Sequence, residues 1–256
     1  MPFTLSHPAA VLPLVRDGRG RGRLVGSALV LGAMAPDVPY FAGAFAWGDL
    51  AHEWRAVPTL DVAITLLLAG AWHLVLRAPL TALLPARWAG AVGRLAGAWT
   101  GRLSWGGAGW FALSAAIGAA THVGWDGFTH PGRFGTRLLP VLQSGRVLGE
   151  PPYAVLQYSC SVVGLLVLGR SVARELRRAA AAAAPAPVVG AATRRLVLGL
   201  VLAVAVLGAW IRMLQWDRPG LPLLSVLPVL AFGAVAGAAG ALGLYALVAT
   251  VRAARA

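Results

Sequence analysis

Six stretches of this chain, residues 24–46, 58–76, 107–130, 153–171, 194–214 and 222–250, are apolar over about the 20 residues that a helix needs to cross a bilayer. Backbone inside lipid must satisfy its own hydrogen bonds, and a helix does so within one segment. With 58% hydrophobic and 12% charged residues and a mean hydropathy of +0.72, the chain has too little polar surface to cover a soluble globule. The expected fold is all-α, a polytopic integral membrane helix bundle of about six spans with an additional N-terminal half-helix.

A net charge of +13 would suggest nucleic acid in a soluble protein. Here every basic residue is Arg, and the arginines gather in connections between apolar runs, which is a topology signal and argues against a nucleic-acid partner. Arg16, Arg19, Arg21 and Arg23 form one group, Arg77, Arg87, Arg94 and Arg102 the next. Arg170, Arg174, Arg177, Arg178, Arg194 and Arg195 form a third, and Arg252 and Arg255 close the chain. Leaner connections at 47–57, 131–152 and 215–221 alternate with them. The positive-inside rule makes the Arg-rich connections cytoplasmic, with both termini on that side. The Lys-free, Ala- and Gly-heavy usage is that of a GC-rich bacterial genome, so the expected location is a bacterial inner membrane.

The start, "MPFTLSHPAAVLPLV", has no positive residue ahead of its apolar part, so no signal cleavage is expected. The stretch "RELRRAAAAAAPAPVVGAATRR" reads as a helix end running into an Ala/Pro-rich cytoplasmic linker over 176–193. It divides a front membrane bundle, 1–175, from two further helices in 194–256, which hold no His and, of acids, only Asp217. Any chemistry belongs to the front.

There "GAATHVGWDGFTHPG" sets His122, Asp126 and His130 four residues apart, on one helix face that Ser114 and Gly118 continue. An acid at membrane depth costs about 2.5–3.5 kcal/mol on insertion scales, so it faces a partner or a wet cavity. Asp37 in "GAMAPDVPYF" lies roughly 20 Å along the first span, and His122 lies at a similar depth in its own. His7 opens a short run, with Ser6 as the expected cap and Pro8 in the first turn, and His52 lies in the outward connection. His73 falls near the cytoplasmic end of its span and reads as an interfacial or packing histidine. Each residue also has a plainer reading. His122 and Asp126 can be an i,i+4 pair, His130 can face water ahead of Pro131, and Asp37 can break a helix ahead of Pro39. Taken as a set, imidazoles and carboxylates suit a divalent metal, Zn²⁺ first and Mn²⁺ or Fe²⁺ next, while a lone cysteine, Cys160, excludes a thiolate cluster.

The segments "PFTLSHPAAVLPLV", "GSALVLGAMAPDVPYF", "ATHVGWDGFTHPG" and "VLQYSCSVVG" resemble successive signatures of a bacterial membrane family of unknown function, the one numbered four-one-eight-four, over about residues 2 to 170. That family is distantly similar to inner-membrane metal-dependent hydrolases, which share an early His, a small-residue "PD" motif, an outward His and an H-x-x-x-D helix. The resemblance implies that His7, Asp37, His52, His122 and Asp126 occupy the positions those proteins use. After His52 the family carries a small hydroxyl residue where this chain has Glu53.

A hydrolase of this kind would use His7, Asp37, His122 and Asp126 as ligands to one or two metal ions, with His52, His130 or Glu53 as acid or base. Its substrate would be a lipid or lipid-linked ester or phosphoester met at the outer face. Gln157, Tyr158 and Ser161 on the fourth span would support the site by hydrogen bonds or serve helix packing. The competing class is a non-enzymatic membrane protein whose polar cluster conducts metal ions or protons, or holds helices together as a seam. The chain shows no internal repeat of the kind paired transporter halves leave.

Overall fold

Helix dominates, and in apolar runs of this length it satisfies the backbone's hydrogen bonds within one segment. The computed structural model describes residues 3–96, 105–184, 186, 188–215 and 223–255. Among these the order is a 3-10 helix, Thr4–Leu14, and a short antiparallel ribbon, β1 (Val15–Arg16) and β2 (Arg19–Gly20). Helices α1 (Gly26–Gly32), α2 (Val38–Phe41), α3 (Phe45–Ala51) and α4 (Leu60–Ala71) follow. A π-helical turn, Trp72–Leu76, leads to α5 (Arg77–Ala82), then α6 (Ala86–Leu95), α7 (Trp105–Thr129) and α8 (Phe134–Leu138). The long helices α9 (Pro152–Ala182), α10 (Ala191–Leu214) and α11 (Leu223–Ala253) complete the chain. The fold is all-α apart from the ribbon, whose turn at Asp17 and Gly18, both at positive φ, is of the type that hairpins favour.

Four helices among the described residues are long and apolar enough to cross a membrane: Leu60–Ala82, Pro152–Ala182, Ala191–Leu214 and Val226–Ala253. Large apolar side chains along them, among them Leu67, Leu166 and Leu202, are exposed, as a lipid-facing surface requires. The expected first span, 24–46, is not one helix. It breaks after Gly32 into the 3-10 turn Ala35–Asp37, α2 and α3, because Pro36 and Pro39 cannot continue a helical hydrogen-bond ladder. The site helix α7 has the length of a span, 25 residues, but glycines, Ser114, His122 and Asp126 dilute its apolar content. Arg102, Asp217 and the connection 216–221 lie outside the described residues.

The chain divides into two compact units. The first comprises Met1–Pro39, Ala44–Ala69 and Thr100–Glu175. Its core is Val11, Leu29 and Ala33 with Ile117 against them, and a second cluster joins Val57, Ala119 and Val123. Its N-terminus is pinned: the Phe3 N–H donates to Ser161 Oγ at 2.9 Å, and Ser161 in turn donates to the Gln157 carbonyl. Ser6, expected as the helix cap, lies inside the 3-10 helix and donates to the Phe3 carbonyl at 2.7 Å.

The second unit comprises Tyr40–Gly43, Gly70–Trp99 and Leu176–Ala256. There α10 packs closely on α11 where Gly208 faces Gly233 and Gly237. In the Ala/Pro-rich stretch after α9, the Ala186 and Val189 N–H groups donate to the Ala86 and Ala82 carbonyls.

Candidate metal centre

The centre is built outward from α7, whose buried face carries Ser114, Gly118, His122 and Asp126 at intervals of four. Ser114 Oγ accepts the Val25 N–H at 2.9 Å and donates to the Trp110 carbonyl at 2.6 Å, which fixes the start of α1 against α7. One turn on, a Cβ at Gly118 would run into the Leu29 carbonyl oxygen and stand 2.7 Å from the Ala33 nitrogen. A Cβ at Gly32 would strike the Ala115 carbonyl oxygen. The two helices therefore meet backbone to backbone. Ala33, whose carbonyl is left over at the end of α1, accepts the His122 Nδ1–H at 2.8 Å.

Asp37 reaches the same point from the break after α1. It is fully buried, and its Oδ2 accepts the Thr4 hydroxyl at 2.5 Å. His52 comes from the C-terminal end of α3, and its Nδ1–H donates to the Gly48 carbonyl at 2.8 Å. Because Nδ1 of both His52 and His122 faces a carbonyl, Nδ1 carries the proton, and each Nε2 turns a lone pair inward.

Four donor atoms converge there. His52 Nε2 lies 3.3 Å from His122 Nε2, 3.4 Å from Asp37 Oδ1 and 3.3 Å from Asp126 Oδ2. His122 Nε2 lies 3.5 Å from Asp37 Oδ1 and 3.6 Å from Asp126 Oδ2. Charge-assisted hydrogen bonds run at about 2.7–2.9 Å, so these separations are too long for ion pairing through a shared proton. A regular tetrahedron of ligands at about 2.0–2.2 Å from its centre, the spacing of nitrogen and oxygen ligands around zinc, has edges of about 3.3–3.6 Å, and these five separations match it. All four residues are buried, and their ligand atoms lie within 4.8 Å of one another. Asp37 Oδ1 and both Asp126 oxygens have no hydrogen-bond partner among the described residues. Buried lone pairs converging without a proton between them are costly, and a cation offsets that cost. The donor set therefore fits a divalent ion.

The other expected residues are distributed around this group. His7, on the 3-10 helix, stacks on His122 with ring centroids 3.6 Å apart, and its Nε2 lies 3.5 Å from Asp126 Oδ1. It is adjacent to the four-residue group without belonging to it, whereas His52 belongs to it. His130 Nδ1 lies 3.1 Å from the Asp126 carbonyl oxygen and 3.7 Å from Asp126 Oδ2. Its Nε2 is buried without a hydrogen-bond partner among the described residues. Glu53 turns to Arg55, 2.5 Å away, at an exposed position. His73 lies in the π-helical turn of the second unit.

Four contributors were not marked by the sequence. Thr4 holds Asp37, and the Ala33 and Gly48 carbonyls hold the histidines. Asp61, in the first turn of α4, is fully buried with neither carboxylate oxygen hydrogen-bonded among the described residues, and it interacts electrostatically with His52 and His122. An acid at the first turn of an otherwise apolar span was the available signal for it. Comparison with curated proteins and with solved structures gives no match. A family model described as a domain of unknown function, DUF4184, matches residues 1–250, and the chain belongs to that family.

Proposed function

We propose that this chain is a multi-pass protein of a bacterial inner membrane, with about six spans and both termini cytoplasmic. In this reading it holds a divalent metal ion, Zn²⁺ before Mn²⁺ or Fe²⁺, and hydrolyses an ester or phosphoester of a lipid or lipid-linked molecule at the outer face. The observation that carries the metal reading is the spacing of Asp37 Oδ1, His52 Nε2, His122 Nε2 and Asp126 Oδ2, with hydrogen bonds that orient Asp37, His52 and His122 toward the group.

A divalent ion in such a site supplies Lewis acidity to an oxygen of substrate or water. The chain's own residues do the rest. The Ala33 and Gly48 carbonyls keep both ligand imidazoles in one tautomer, and Thr4 holds the second oxygen of Asp37. His130, with Nδ1 engaged at the Asp126 carbonyl, offers Nε2 to a proton and serves as acid or base. His7, fixed by its stacking on His122, is the second imidazole at which a proton can rest. A lipid-borne substrate suits a buried site reached from the bilayer.

Metal analysis of the detergent-purified protein tests the reading. The wild type retains about one Zn²⁺ per chain, His122→Ala and Asp126→Ala lose it while still inserting into the membrane, and His73→Ala keeps it. Metal-loaded wild type then hydrolyses some ester or phosphoester presented in micelles. A metal-replete preparation that binds no ion refutes the centre. Bound metal with no turnover and with metal uptake into proteoliposomes replaces hydrolysis by transport.

A further inference from the structure

The connection that follows α7 brings an arginine to the backbone of His52, one of the four grouped residues. Arg133 Nη1 donates to the carbonyl of His52 at 3.3 Å, so the guanidinium is tied to the backbone of a ligand residue. That bond uses one of its five N–H donors. Arg133 forms no ion pair among the described residues, in contrast to Arg55, which is held by Glu53. Two carboxylates balance one divalent ion and leave both imidazoles neutral, so the filled group carries no net charge. The filled group then offers no negative charge to offset that of Arg133.

The surroundings place this charge at a recognisable level. Trp47 on α3, Trp54 just beyond His52 and Trp125 beside Asp126 all expose their indoles. Exposed tryptophans collect at the headgroup level of a bilayer, where lipid phosphates lie. Trp54 also packs on Phe134, the residue after Arg133, with ring centroids 5.7 Å apart. Beyond it Leu138, Leu139 and Leu148 are exposed on the same connection, an apolar surface suited to the same interface.

The geometry points to Arg133 as the anion-binding residue of the metal centre, receiving the phosphate of a lipid headgroup. A planar guanidinium with free N–H groups matches phosphate oxygens in pairs. The inference rests on the metal-centre reading for the second contact to the phosphate, and it narrows the substrate class from esters in general to phosphate carried on a lipid.

The test uses full-length protein, zinc-loaded, in nanodiscs of phosphatidylcholine. Binding of inorganic phosphate and of dihexanoyl phosphatidic acid is measured by calorimetry, with zinc content measured on the same samples. Arg133→Gln keeps an N–H for the His52 carbonyl and removes the charge. It is expected to retain zinc and to weaken binding of phosphatidic acid by about tenfold to a hundredfold. Arg137→Gln, on the same connection, should bind as the wild type does. Tighter binding of phosphatidic acid than of inorganic phosphate identifies a lipid phosphate, and the reverse order overturns that assignment.

Equal affinity of Arg133→Gln and wild type, with zinc retained, overturns the inference and leaves Arg133 as a cap on the last turn of α3. So does a wild type that binds neither probe. Loss of zinc in Arg133→Gln also counts against it, since the guanidinium is assigned to the anion and not to the ion. A wild type without zinc whose phosphate binding still depends on Arg133 removes the metal centre and keeps the anion site.

Discussion

A methyl group at Gly118 should weaken metal binding without touching any ligand. In Gly118→Ala the new Cβ would stand 2.7 Å from the Ala33 nitrogen and 3.0 Å from the Gly32 carbonyl carbon. Relaxed contacts of this kind sit near about 3.5 Å, so α1 must back away from α7 by roughly 0.5–1 Å. Both obstacles are backbone, and no side chain can swing aside to spare that movement. The His122 Nδ1 to Ala33 carbonyl bond, now 2.8 Å, would stretch to about 3.3–3.8 Å, beyond the usual N–H···O range. Overpacking of this kind costs about 1–3 kcal/mol of stability. Loss of an outer bond to a ligating histidine costs about tenfold to a hundredfold in metal affinity. Zinc affinity is read by competition with a fluorescent chelator, alongside the thermal midpoint of the detergent-solubilised protein. Gly109→Ala is the control, because a Cβ there meets nothing within 4 Å on the same helix. The reasoning fails if Gly118→Ala melts earlier yet binds zinc as tightly as the wild type.

Asp61→Asn should retain zinc and raise the thermal midpoint by a few degrees. A carboxylate at a helix N-terminus gains about 0.3–1 kcal/mol from the dipole, and the burial of an unpartnered charge costs several times that. Loss of zinc would make Asp61 a ligand instead. For topology, single cysteines placed in a variant lacking Cys160 should label from the outside at 131–151 and only after permeabilisation at 16–23 and 170–178. External labelling of the Arg-rich connections would reverse the orientation.

The stripe on α7 was legible because a helix turns four-residue spacing into one face, and Ser114, Gly118, His122 and Asp126 do share one. Hydropathy alone hid the break at Asp37. Residues 24–46 are apolar throughout their first half, and only the prolines at 36 and 39 mark the point where the helix cannot continue. Helix arithmetic gave Asp37 and His122 similar depths but could not decide which nitrogen faces which oxygen. That depends on the Gly48 carbonyl, which orients His52, and on ring stacking, which turns His7 toward Asp126 Oδ1. Thr4 left no periodic signal, since its partner, Asp37, is 33 residues away.

The positions of the ligands have a common physical cause. Asp37 sits where α1 has already broken, and His52 sits where α3 ends, so both come from backbone that has stopped satisfying its own carbonyls. Buried carbonyls of this kind need another donor. Imidazole Nδ1–H groups supply that donor at Ala33 and Gly48. The bonds that complete the helix ends are therefore the ones that turn both Nε2 lone pairs toward Asp37 and Asp126. This arrangement stabilises the backbone and, without a cation, brings four electron-rich atoms together in a buried space. Two carboxylates buried without a counter-charge are costly. In the proposed centre, a bound divalent ion offsets their burial and the crowding of the lone pairs at once, so metal loading and helix closure are one equilibrium.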